Sequence, residues 1–65
     1  MTKTLIILVL LFNGELVKEK FELPIEMTAY ECLDFSEKYR EVHSIYKNNR
    51  HYLKDGRGTI QGFIC

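Results

Sequence analysis

The sequence predicts a small α+β fold: a ββαβ chain whose antiparallel sheet has strand order 2-1-3, with one helix packed on one face. Three observations lead there. An Asn13-Gly14 pair stands between two β-rich runs, Thr28-Ala29-Tyr30-Glu31 precedes a stretch of helical spacing, and Asp55-Gly56-Arg57-Gly58 precedes a last apolar run.

Sixty-five residues make one domain, 1–65, near the lower limit for independent folding. A domain of this size buries only about 60% of the surface its unfolded chain exposes. Extra stabilisation by a disulfide, a metal or self-association is therefore expected. A hydrophobic content of 46% is enough for a core. Nine basic and nine acidic residues cancel, which leaves no global field toward nucleic acid or an anionic membrane. The balance is uneven along the chain. Residues 1–45 carry eight acids against five bases, net −3, and residues 46–65 carry four bases against Asp55, net +3. Solvated, mutually complementary surfaces account for such a split.

Asn-Gly suits a two-residue type I′ turn, which needs positive φ at both central residues. The first 23 residues then form a hairpin in which Leu10 faces Val17, Leu8 faces Glu19 and Ile6 faces Phe21. One face carries Ile6, Leu8, Leu10, Phe12, Val17, Phe21 and Leu23. The second strand alternates with Lys18, Lys20 and Glu22 and needs one covered side. The first strand is apolar on both sides, as in a central strand.

Pro24 ends the hairpin. Thr28 and Glu31 form a capping box, and the helical spacing runs from Ala29 to about Tyr46, with Asn48-Asn49 as its stop. His51 to Lys54 can add a short stretch of pairing, and Thr59 to Cys65 reads as the last strand, weakened by Gly62. Placed beside the first strand, it makes that strand central. A single helix covers one face only, so Leu5, Ile7, Val9, Leu11 and Leu16 are expected on the other, forming a dimer or partner face.

The apolar run from Leu5 to Phe12 has signal-peptide length, but no small-x-small site follows it, and it is too short to span a bilayer. A strand in a cytoplasmic protein without a membrane span is the expectation.

Cys32, in the first helical turn, and Cys65, at the end of the last strand, come to the same end of this topology. They form a disulfide or remain free thiols, and a cytosolic location favours the thiols. Ser36 and His43 share the inner face of the helix, but nothing supplies an oxyanion site or a metal-ligand set, so no catalytic residue, cofactor or metal is expected. Gly56-Arg57-Gly58-Thr59 lacks the lysine and spacing of a phosphate loop. The segment 46–57 mixes charge with aromatic rings. Lys47, Arg50, Tyr52, Lys54 and Arg57 are its candidate nucleic-acid contacts.

An apolar strand Leu5–Phe12, the Asn13-Gly14 turn, the Leu23-Pro24 connector, the helix start Tyr30-Glu31-Cys32 and the final Phe63-Ile64-Cys65 recur together elsewhere. In this the chain resembles short uncharacterised proteins of marine bacteria and their phages. The resemblance implies a phage accessory protein that binds or inhibits a host protein, and it brings no site residues. From the residues, the expectation is a small non-enzymatic protein-binding module, homodimeric through its open sheet face. The alternative is a small RNA- or single-stranded-DNA-binding protein using segment 46–57.

Overall fold

The computed structural model describes residues 2–65. The element order is β1 (Thr2–Leu11), β2 (Leu16–Met27), α1 (Ala29–His43), β3 (Ser44–Lys47), β4 (Arg50–Leu53) and β5 (Gly58–Ile64). All five strands form one antiparallel sheet of order β2-β1-β5-β4-β3, so the expected three-stranded ββαβ sheet of order 2-1-3 is corrected to ββαβββ. The last strand does lie beside the first, but β3 and β4 extend the sheet beyond it.

The first of the added strands, β3, comes from the segment read as the end of the helix, while β4 falls where His51 to Lys54 is expected to add a short stretch of pairing. The helix stops at His43, and Ser44 turns extended at φ −140° while its hydroxyl donates to the Arg40 carbonyl. Ile45 and Tyr46 then favour strand over helix. Asn48 and Asn49 have φ of 52° and 61°, the pair of left-handed residues that a type I′ turn demands. They join Lys47 to Arg50 directly opposite one another, a hairpin turn where a helix stop is expected from sequence. Tyr46 continues the helical spacing only by coincidence.

The first hairpin contains the second correction. Its loop has three residues, Phe12-Asn13-Gly14. The Leu11 N–H donates to the Glu15 carbonyl at 2.8 Å, the Gly14 N–H to the Leu11 carbonyl at 3.0 Å, and only Gly14 is left-handed, at φ 92°. This is a type I turn closed by a glycine bulge. The Asn13 side chain accepts from the Glu15 N–H at 2.9 Å and holds the turn in that form. Pairing shifts by one residue from the two-residue expectation: Leu10 faces Leu16, Val9 faces Val17, Ile7 faces Glu19 and Leu5 faces Phe21. A shift of one moves every side chain of one strand to the other face.

Leu5, Ile7 and Val9 therefore point at the helix and form the core with Leu23, Cys32 and Ile60, all under 8% exposed. Pro24 does not end β2. The strand continues past a register shift to Met27, which pairs with Thr2. Because β2 is an edge strand, the N–H that proline lacks is tolerated there.

The helix begins as its sequence requires. Thr28 Oγ1 accepts from the Glu31 N–H and Glu31 Oε1 accepts from the Thr28 N–H, both at 3.1 Å. Thr28→Ala is expected to cost about 1 kcal/mol, read from the urea unfolding midpoint.

Candidate binding face

The core side of the sheet carries α1, and the other side carries no element. Cross-strand register defines what that side displays. One row runs Leu16, Leu10, Thr59, Tyr52, Ile45 across all five strands. Beside it, Leu8 stands between Lys18 and Gly62, and Ile6 between Lys20 and Ile64. Leu16 is 55% and Ile45 57% exposed, whereas Ile6, Leu8, Leu10 and Tyr52 are half-buried by their neighbours. Phe12, from the three-residue loop, stacks on Tyr52 with ring centroids 6.3 Å apart. The sheet at this point presents an apolar band with one aromatic ledge.

Of the partner face expected from sequence, Leu5, Ile7 and Val9 lie in the core, and Leu11 packs against it half-buried. Leu16 alone lies on the uncovered side. The residues that take their place are Ile6, Leu8, Leu10, Phe12 and Ile45. The turn is what exchanges the two sets.

The nucleic-acid candidates divide. Lys47 and Arg50 face each other on the helix-free side, in line with Ile45 and Tyr52. Arg50 also borders a hollow of about 420 Å³ with Leu10, Asn49 and Gln61. Arg57 is engaged elsewhere: its guanidinium contacts Glu19 and bonds Asp55 at 2.6 Å. Lys54 opens the turn after β4, and its N–H donates to the His43 carbonyl at 3.0 Å.

Cys32 and Cys65 are joined as a disulfide, with Cα atoms 6.0 Å apart. Ser36 is buried, and its hydroxyl donates to the Leu33 carbonyl at 2.8 Å. His43 packs on Tyr39 at 4.3 Å, part of an aromatic run with Phe21 and Phe35 along the β2 side of the helix. Among the described residues no group of three or more His, Cys, Asp or Glu side chains is placed to hold a metal.

His51 stands against Tyr46, ring centroids 4.8 Å apart, on the side of the sheet from which Arg40 approaches. Desolvation, with a smaller contribution from the Arg40 charge, lowers its pKa below 6.5. The unfolded chain therefore binds the proton more readily. The stability this histidine supports is full above pH 6.5 and is lost as pH falls through the lowered folded-state value. Thermal midpoints between pH 7.5 and 5 are expected to fall, and His51→Gln to flatten that slope.

The arrangement defines a class: a one-layer antiparallel sheet closed on one side by a disulfide-tethered helix and displaying an apolar band on the other. Comparison with family models, curated proteins and solved structures gives no match. No helix of the described residues is long and apolar enough to cross a membrane.

Proposed function

We propose that the protein is a non-enzymatic protein-binding module that works through the helix-free face of its sheet, with a second copy of itself as the first partner. The observation that carries this reading is the row Leu16–Leu10–Thr59–Tyr52–Ile45, which spans every strand on the side that no element covers, with Leu16 and Ile45 exposed at its ends and Thr59 buried at its middle. The Cys32–Cys65 bond supports an oxidising environment rather than the cytosol expected from the sequence.

The test is sedimentation over a wide concentration range. The wild-type chain is expected to associate, and Leu16→Gln with Ile45→Gln, which remove apolar contact without changing charge, to abolish association while the thermal midpoint stays within a few degrees. Association undiminished in that folded variant would overturn the reading.

A second reading, binding of single-stranded nucleic acid, is favoured by one observation: the Phe12–Tyr52 stack beside Lys47 and Arg50. It requires an affinity that falls steeply with salt and with Arg50→Ala. No mobility shift at low salt would end it.

A further inference from the structure

The helix-free face is not only apolar. Alternation along β2 and β3–β4 sets Lys18 and Lys20 on one margin of the band and Lys47 and Arg50 on the other, with the acids Glu22 and Glu26 toward the far end of β2. The opposite side of the molecule has the reverse character. On α1 the packed residues are Cys32, Phe35, Ser36 and Tyr39. Diametrically across the helix, Tyr30, Leu33, Asp34, Glu37 and Glu41 fall on one stripe at i, i+3, i+4, i+7 and i+11. All are exposed, Tyr30 by 85% and Leu33 by 53%.

The ion pairs among the described residues are Asp34–Lys38, Arg57–Glu19 and Arg57–Asp55. Lys18, Lys20, Lys47, Arg50, Glu37 and Glu41 take part in none of them. The first pair is exposed and i,i+4, so it holds Asp34 weakly.

We infer that the surface which covers the sheet face is the acidic outer stripe of α1 of another copy, so that chains stack head to tail. This rests on the reading of the sheet face as a self-association surface and specifies its counterpart. Two arguments select it over sheet-against-sheet contact. Two sheet faces brought together set cationic margins against cationic margins, whereas helix on sheet sets Asp34, Glu37 and Glu41 among four cations, with Tyr30 and Leu33 supplying apolar contact. Lengths agree too: the stripe from Tyr30 to Glu41 spans about 17 Å at 1.5 Å per residue, and five strands span about 19 Å. Because the two surfaces lie on opposite sides of one chain, the contact is heterologous, and each added copy leaves one of each surface free.

The test uses two charge-reversed variants, Glu37→Lys with Glu41→Lys and Lys18→Glu with Lys20→Glu, each first checked for wild-type circular dichroism and thermal midpoint. The wild-type chain is expected to grow past two copies as concentration rises, and its association to weaken with added salt. Each variant alone is expected to associate about tenfold less tightly or worse. Mixing the two restores association, because each then meets a face of opposite charge. The salt titration of wild type stands independently of how the variants fold.

Wild-type strength in the helix variant alone, or a mass that stops at two copies and is insensitive to salt, overturns the head-to-tail contact while leaving the sheet face as the interface. A wild-type chain that stays monomeric overturns both readings. A monomer that instead binds an oligothymidine or phosphatidylserine vesicles does the same and names a different occupant.

Discussion

Reduction of the Cys32–Cys65 bond is expected to lower stability by about 3–4 kcal/mol, the chain-entropy value for a loop of this length. The bond joins residues 33 apart in sequence, from the first turn of α1 to the residue that follows β5. Its weight comes from how little else of the helix is buried. Cys32 and Ser36 are its only buried residues, and Phe35 and Tyr39 pack against the core part-exposed. The covalent tether thus does for α1 what a wide apolar stripe does for an ordinary amphipathic helix. A 65-residue domain holds in total roughly 3–10 kcal/mol, so the reduced chain stands at the edge of unfolding. At about 4–8 °C per kcal/mol, the midpoint should fall by about 12–32 °C with dithiothreitol, and Cys32→Ser and Cys65→Ser should match it. A difference below about 1 kcal/mol between oxidised and reduced chains in urea would contradict this account.

Gly58→Ala should be comparably damaging for a steric reason. A Cβ at that position would lie 2.1 Å from the Leu10 carbonyl oxygen and 2.9 Å from both the Leu10 carbonyl carbon and the Leu11 Cα. All three are backbone atoms of the neighbouring strand β1, so no rotamer change relieves the clash. The relief available is to open the Leu11–Gly58 end of the β1–β5 ladder. A loss of at least about 3 kcal/mol is expected, together with loss of amide-exchange protection in β1 and β5. Gly62 is the internal control. A Cβ there meets only the Leu8 Cδ1 at 3.9 Å, an ordinary contact, and Gly62→Ala should stay within about 1 kcal/mol of wild type. Equal effects at the two glycines would refute the steric explanation.

Much of the local structure was legible in the residues. The capping box fixed the helix start, the alternation of β2 separated Val17 and Phe21 from Lys18 and Lys20, and the apolar run of β1 marked a central strand. What could not be read was which side of β1 meets the helix. Because β1 is apolar at nearly every position, both candidate registers give Val17, Phe21 and Leu23 apolar neighbours, and hydrophobic matching does not choose between them. The choice is made by Asn13, whose side chain caps Glu15 inside a three-residue loop. Asn-Gly is compatible with either turn.

Of the hairpin β3–β4, the second half was legible, since His51 to Lys54 reads as a short stretch of pairing. Strand β3 was hidden because its four residues are too few for alternation to stand out and Ser44–Tyr46 continues the helical spacing. Two consecutive asparagines able to take positive φ were the available signal. Their side of the sheet carries Ile45 and Tyr52, so the binding face was misread along with the topology.

The loop Phe12–Gly14 has a consequence for how this chain can vary. In an antiparallel hairpin, loops with an odd number of residues pair odd positions with odd ones, and even-length loops pair odd with even. With three residues, Leu5, Ile7, Val9 and Leu11 share the core side with Phe21 and Leu23. Removal of Phe12 alone would leave Asn13-Gly14 as a two-residue loop between the same closing pair, Leu11 and Glu15, and every cross-strand pair would be kept. Removal of two residues would leave one, too few to turn the chain, and would force that closing pair open. The core set is therefore held by the pairing of Leu11 with Glu15 rather than by the loop length itself.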